Sequence, residues 1–265
     1  TQINEELAWL SGRYLVRKLR AMGLPERVLV GRDGRLSSPQ VYSAHVAGII
    51  AEGGVAIPCD LCTSDMIQWA VGEELEGGLC GSQVTASHNP AEYNGIKIVF
   101  KNRKTGGLDI MRPVDYCEDG YQKDGQKLPD ASAAFNAPYP EQAPLGLQER
   151  FVAATLARAP RLAEAAHRIV LDPGNGVGGI LVPLMQAALK KIGSKAAVLA
   201  INEEIDGSFP TRPSNPGLPE SIAMIESEAK KLAGDFVASF DGDADRVFFT
   251  DEKGKFVQSA DTLAA

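Results

Sequence analysis

Short apolar runs alternate with amphipathic stretches along this chain, and most of the runs end in a loop rich in Gly, Asp or Asn. That alternation is the pattern of an α/β fold, with strands inside and helices packed on them. Val28-Leu29-Val30 reads as a buried strand. Ser38-Pro39 then supplies an N-cap and a Pro at the first helical position. Val41, Ala44, Ala47 and Ala51 follow at helical spacing, and Gly53-Gly54 ends that helix. Val55–Ile57 reads as a strand, Asp65–Val71 as a short helix, and Leu79–Val84 and Gly95–Phe100 as two more strands. The second half repeats the logic. A helix is expected over Gly146–Arg158, a strand over Arg168–Leu171, then a Gly-rich turn and a helix through Lys191. Ala196–Ile201 is a strand, Pro219–Ala233 a helix with Glu226 and Lys230 spaced to pair, and Phe236–Phe240 and Arg246–Thr250 are strands. Asp251-Glu252-Lys253-Gly254 turns the chain back as a hairpin.

With 265 residues, a chain of this kind is expected to form about two domains. Hydrophobic residues make up 44% and charged residues 23%, so each half can bury a core. The segment from Gly120 to Leu145 is rich in Pro, Ala, Gly, Asp and Gln, and its latter part reads as a crossing between domains. No run of apolar residues is long enough for a membrane span, and the first residues lack the basic and apolar regions of a signal peptide. The expected location is the cytoplasm. A net charge of −7 argues against binding a nucleic-acid backbone but leaves a local basic site open. The four cysteines are Cys59, Cys62, Cys80 and Cys117. One C-x-x-C pair after a strand is a weak zinc or redox signal, so reduced, partly buried thiols are expected.

Two loops carry the chemistry. Thr85-Ala86-Ser87-His88-Asn89-Pro90 follows a strand and leads through Tyr93-Asn94-Gly95 into Ile96-Lys97-Ile98. Loops at the carboxyl ends of strands are where open α/β sheets bind ligands, which places Ser87 as a nucleophile beside His88. Taken alone, this could be an Asn-Pro turn whose Ser and His satisfy backbone groups. The second loop changes the balance. Phe236–Phe240 runs straight into Asp241-Gly242-Asp243-Ala244-Asp245-Arg246, and three carboxylates at alternate positions are costly without a cation. An all-oxygen donor set suits Mg²⁺, and Gly242 is expected to let the backbone turn. An EF-hand is excluded, because Arg246 stands where that loop needs Gly and the flanks read as strands. A solvated acidic turn is the remaining bland alternative.

A third loop, Asp172-Pro173-Gly174-Asn175-Gly176-Val177-Gly178-Gly179, matches the dinucleotide fingerprint G-x-G-x-x-G at Gly174, Gly176 and Gly179. Glu203 or Glu204 lies at a suitable distance beyond it. A nucleotide-dependent oxidoreductase is therefore the alternative function. It leaves the aspartate loop unexplained, and a tight strand-to-helix turn is preferred.

Thr85–Pro90 with Tyr93–Lys97, together with Asp241–Arg246, resembles the α-D-phosphohexomutase superfamily, which includes phosphomannomutases and phosphoglucomutases. Val30–Ser37, Asp172–Gly179, Asp206–Pro210 and Asn215-Pro216 add collinear support. The resemblance implies two tandem α/β domains of the phosphohexomutase type, with mixed sheets flanked by helices, over residues 1–140 and 145–265. The first would carry the catalytic serine loop and the second the metal loop. It further implies an isomerase that moves phosphate between O1 and O6 of a hexose phosphate through a bisphosphorylated sugar. Ser87 would be the phosphoserine, and one Mg²⁺ would be held by Asp241, Asp243, Asp245 and the phosphate on Ser87. Lys97 and His88 would do acid/base work, Arg32 and Arg246 would stabilise phosphoryl charge, and a sugar 1,6-bisphosphate would be the activator. No nucleic-acid or membrane partner is implied. Such enzymes have four domains, with sugar recognition in the third and a phosphate clamp in the fourth. Neither is in this sequence, so a fragment with little turnover of its own is expected. Thr85, where glucosamine-phosphate mutases usually have Ser, leans towards mannose or glucose.

Overall fold

The computed structural model describes residues 3–112, 146–164, 166–232 and 234–257. Two compact units account for them. One comprises residues 1–33, 37–86 and 92–145; the other comprises 34–36, 87–91 and 146–265. Two short loops from the first half of the sequence, 34–36 and 87–91, thus group with the second unit. The expected crossing from Gly120 to Leu145, and Cys117, lie outside the described residues.

The first unit contains α1 (Glu5–Ala21), β1 (Arg27–Arg32), α2 (Ser38–Ala51), β2 (Val55–Leu61), α3 (Ser64–Gly72), β3 (Cys80–Val84), β4 (Ile96–Lys101) and β5 (Leu108–Met111). Its sheet runs β2-β1-β3-β4-β5. β1 pairs in parallel with β2 and β3, while β3–β4 and β4–β5 are antiparallel. Helices α1 and α2 cover one face over Val28 and Val30. Helix α3 covers the other so closely that a Cβ on Gly81 would lie 2.5 Å from Ile67.

The second unit contains α4 (Leu147–Ala157), β6 (Arg168–Asp172), α5 (Leu181–Lys191), β7 (Ala197–Ala200), α6 (Pro219–Lys231), β8 (Phe236–Phe240), β9 (Val247–Thr250) and β10 (Phe256–Val257). A short 3₁₀ turn, Val177–Ile180, leads into α5. The sheet order is β10-β9-β8-β6-β7, with β6 parallel to β7 and β8 and the last two pairings antiparallel. Strand alternation sends Leu171 and Ala238 into a core with α4 and α5, and Val170 and Val237 into a core with Ala229 of α6. The two units share one topology. The loops Thr85–Gly95 and Asp241–Arg246 occupy the same place in it, between the third strand and its antiparallel neighbour.

The mixed α/β architecture agrees with the sequence pattern, and several details differ. Helix α1 and strand β5 were not anticipated. Helix α1 is capped by the Asn4 side chain, which accepts from the Leu7 amide at 2.9 Å, and it buries Ala8, Leu15, Val16 and Leu19 on one face. Ser38 opens α2 rather than capping it. The cap position is Ser37, and the Ser38 hydroxyl donates to Asp33 at 2.5 Å. Glu226 accepts from the Phe256 amide at 3.0 Å, pinning α6 to β10, instead of pairing with Lys230. Gly242 has no left-handed φ; in that loop Ala244 does, at φ 59°. Cys62 and Cys80 are buried, and burial pushes the Cys59 and Cys80 thiols up to about 12. Inert thiols follow from that.

His45 of α2 is fully buried between α1 and the sheet. One ring nitrogen lies 3.3 Å from the Ala8 carbonyl and the other 3.1 Å from the Ser82 hydroxyl. A carbonyl only accepts, so Nδ1 donates to Ala8 and Nε2 accepts from Ser82. Burial lowers its pKa from 6.5 to about 4. The unfolded chain therefore holds the extra proton in that window, and stability falls as pH drops from 6.5 towards 4. Between pH 7 and pH 5 the first unit is expected to lose about 2 kcal/mol through this group. Urea unfolding at both pH values checks it. The loss should shrink by that amount in His45→Gln, whatever the variant's absolute stability, and an unchanged slope would refute the assignment.

Candidate active site

Strand β3 delivers the 87–91 loop and strand β8 delivers the aspartate loop. Ser87 sits at φ 55°, in the left-handed region. Asn175, Asn202, Phe209 and Ala244 in the second unit share that conformation. Each such residue costs of order 1 kcal/mol or more and persists only where its surroundings hold it.

The Ser87 hydroxyl donates to Asp241 Oδ2 at 3.1 Å and accepts from Arg246 Nη2 at 3.2 Å. Arg246 also grips Asp241 directly, with Nη2 at 2.7 Å and Nε at 2.9 Å from Oδ2, while its backbone N–H donates to Oδ1 at 3.1 Å. His88 Nδ1 is 3.4 Å from Ser87 Oγ. Gly242 is needed for close approach, since a Cβ there would come within 2.6 Å of the Ser87 carbonyl oxygen.

Asp241 and Asp243 are fully buried, and the three carboxylates can place one oxygen each within 4.8 Å of the others. Burial, then the charges of Asp243 and Asp245, push the Asp241 carboxyl up to about 6 against the pull of Arg246. An all-oxygen cluster of three carboxylates, two of them buried, held beside one guanidinium at Asp241, is a donor set suited to a hard divalent cation. The residues present therefore fit Mg²⁺.

Ser87, His88, Asp241, Asp243, Asp245 and Arg246 are brought together in the second unit. Arg32 and Lys97 belong to the first. Arg32 ends β1 and donates to Asp60 at 2.7 Å, and Lys97 stands on β4 opposite Gln83. The Gly-rich turn is filled from within the protein. A Cβ on Gly174 would lie 2.3 Å from the Arg212 guanidinium, one on Gly176 2.9 Å from the Gly242 carbonyl, and one on Gly179 2.1 Å from the Glu203 carbonyl. These glycines serve close packing, as the tight-turn alternative requires.

Two residues with no role assigned from the sequence, one of them inside the Val30–Ser37 segment, bear on the site. Arg35 donates to the carbonyls of Ser87, Asn89 and Pro90 at 2.7, 2.8 and 2.6 Å. Arg212 donates to Asp172 and to the Phe240 carbonyl, at 2.9 and 2.8 Å. Both are buried. No pattern in the sequence announces a buried arginine; only its proximity to a turn could have raised the question.

The model for the phosphoglucomutase/phosphomannomutase alpha/beta/alpha domain I matches residues 1–108, and that for domain II matches residues 149–254. The chain belongs to the phosphoglucomutase/phosphomannomutase family. A phosphomannomutase from Salmonella montevideo is 28% identical over 263 residues, covering 97% of this chain and 54% of the relative. A phosphoglucomutase/phosphomannomutase from Thermococcus kodakarensis is 32% identical over 242 residues, covering 89% and 49%. A solved structure of a family protein from Burkholderia thailandensis shares the fold, with a TM-score of 0.70 at 24% identity, over 96% of this chain and 52% of that one. The chain thus spans about half the length of the curated relatives it matches. Among the described residues no helix is long and apolar enough to cross a membrane.

Proposed function

We propose that this chain carries the phosphoserine and metal half of a phosphohexomutase acting on hexose phosphates, mannose or glucose. The observation that carries the proposal is the Ser87 hydroxyl, held 3.1 Å from Asp241 and 3.2 Å from Arg246. A serine in that place has an acceptor for its proton and a cationic donor at its oxygen, which together suit phosphoryl exchange.

Asp241, Asp243 and Asp245 would hold Mg²⁺. When bound, the ion supplies positive charge that offsets the carboxylates and favours a phosphoryl group nearby. Arg246 binds the oxygen of Ser87 and remains positioned to pair with phosphoryl oxygens. In the forward half-reaction the bond between phosphorus and Ser87 Oγ breaks and a new bond forms to a sugar hydroxyl, whose proton leaves to a base. Ser87 is restored when the other phosphate of the bisphosphorylated sugar returns to it, leaving the phosphate moved between O1 and O6. His88 and Lys97 are proposed for acid/base work on the sugar hydroxyls, taking the proton released there and supplying the one that Ser87 Oγ gains, and Arg32 and Arg246 are proposed to stabilise phosphoryl charge. A sugar 1,6-bisphosphate would prime the serine.

The test is to incubate the intact protein with glucose 1,6-bisphosphate and Mg²⁺ and map the modification by mass spectrometry. Phosphate on Ser87 is the expected result, and an unmodified Ser87 sinks the proposal. Removing one buried ligand with Asp243→Asn is expected to weaken Mg²⁺ binding by tenfold or more, on the order of what one charged ligand contributes. Isothermal calorimetry reads it, and an unchanged affinity removes Asp243 from the site.

A further inference from the structure

Arg35 and Arg212 are both buried, and Arg35 donates to main-chain carbonyls of the nucleophile loop while Arg212 donates to Asp172 and to main-chain carbonyls that include that of Phe240. We propose that they are positioning residues with separate tasks: Arg35 holds the nucleophile loop, and Arg212 holds the aspartate loop. The proposal rests on the phosphohexomutase reading of the same site.

The Arg35 guanidinium gathers three main-chain carbonyls from four consecutive residues, Ser87, Asn89 and Pro90. It lies over the Phe209 ring, 5.2 Å from the centroid. Phe209 itself takes φ 52° to put its ring there, and the ring also approaches Gly242, whose Cβ would be 3.4 Å from it. A planar cation that satisfies three carbonyls at once fixes the direction of the loop more tightly than any single bond. Its consequence is the left-handed Ser87, φ 55°. Without those bonds the residue would relax to an ordinary conformation, and Oγ would swing away from Asp241.

Arg212 is committed differently. Its Nε donates to Asp172 Oδ2 at 2.9 Å, and both side chains are 1% exposed. Nη2 donates to the carbonyls of Asp172 and Phe240 at 3.1 and 2.8 Å, and Nη1 to that of Pro213 at 3.1 Å. Asp172 ends β6 and Phe240 ends β8, and Phe240 immediately precedes Asp241. Arg212 therefore ties the root of the aspartate loop to the neighbouring strand, lying against Gly174, which must lack a side chain to admit it. Four of the five Arg212 N–H donors are engaged in this way and its charge is matched by Asp172, so the guanidinium serves the scaffold. Two residues on, Ser214 donates to the Asn89 carbonyl at 2.8 Å, so the same segment also touches the nucleophile loop.

Arg→Lys keeps the charge and removes the planar fork, which separates the two tasks. In the intact protein, Arg212→Lys is expected to weaken Mg²⁺ binding about tenfold, in the range seen for outer partners of metal ligands. Arg35→Lys should leave that affinity within about twofold. It should instead slow phosphorylation of Ser87 by glucose 1,6-bisphosphate about a hundredfold at saturating Mg²⁺, in keeping with the cost of a misplaced reacting group. Val182→Ala, a core change in the second unit, serves as the control for lost stability and should move neither readout. Unchanged Mg²⁺ affinity in Arg212→Lys, an unchanged rate in Arg35→Lys, or equal effects of both variants on both readouts would overturn the proposal. Should a lysine variant fail to fold, Ser214→Ala must still slow phosphorylation severalfold at unchanged Mg²⁺ affinity, and an unaltered rate overturns it equally. If the unsubstituted protein shows neither Mg²⁺ binding nor phosphate on Ser87, the reading of the site fails and this proposal with it; success there with unaffected variants defeats this proposal alone.

Discussion

Ser87→Ala is expected to abolish conversion of hexose 1-phosphate to hexose 6-phosphate by the intact protein, a loss on the order of 10⁴-fold or more. The size follows from the role. No other hydroxyl in the 87–91 loop can take its place, because Ser87 is the one serine or threonine in that segment. The fold should survive. The Arg246–Asp241 pair at 2.7 Å does not depend on the hydroxyl, and the three carbonyls bound by Arg35 belong to the backbone. Mg²⁺ affinity measured on the unphosphorylated protein should also persist, since the three aspartates are untouched and no phosphate on Ser87 contributes in that state. A coupled assay of sugar-phosphate conversion, with calorimetry on the same sample, measures both. Turnover within tenfold of the unsubstituted protein would remove Ser87 as the phosphoryl carrier; joint loss of turnover and Mg²⁺ binding would mean that the loop had collapsed.

Much of the site was legible because its chemistry is concentrated in short segments. Three aspartates at alternate positions after an apolar strand cannot be arranged cheaply without a counter-charge, and burial together with the charges of Asp243 and Asp245 raises the pKa of Asp241. Strand-to-loop placement likewise located Ser87. What stayed hidden depends on contacts far apart in sequence. Arg35 reads as one more polar loop residue until Asn89 and Pro90, more than fifty positions away, close over it. Arg212 looks equally ordinary until Asp172 and Phe240 surround it. Gly242 was expected to permit a turn, but its function is to let the Ser87 carbonyl come near. In the fold, α1 did carry a readable signal, with Asn4, Glu5 and Glu6 ahead of Ala8, Leu15, Val16 and Leu19. Strand β5 carried almost none. Three of its four residues are exposed, so no apolar alternation betrays it.

Gly48→Ala should destabilise the first unit by at least about 4 kcal/mol, at the severe end of overpacking. Helix propensity alone predicts the opposite sign, a gain of about 1 kcal/mol for Gly→Ala in a helix interior. Packing decides. A Cβ on Gly48 would sit 2.0 Å from the Trp9 carbonyl oxygen and 2.8 Å from its carbon, and one on Gly12 would sit 2.2 Å from the His45 carbonyl oxygen. Each glycine faces the backbone of the opposite helix, so no flexible side chain can move aside, and α1 and α2 would have to part over a core containing Leu15, Val16 and Ile49. Gly72, at the end of α3, is the contrasting position. Nothing lies within 4 Å of its Cβ direction, so Gly72→Ala should follow propensity and be neutral or slightly stabilising. Urea denaturation of the two variants side by side tests the difference. A Gly48→Ala protein as stable as Gly72→Ala would mean that the helices do not meet this closely. The variant also separates scaffold from chemistry. At temperatures where Gly48→Ala remains folded, its Mg²⁺ affinity should match the unsubstituted protein, because all three aspartates and their Arg212 anchor lie in the second unit.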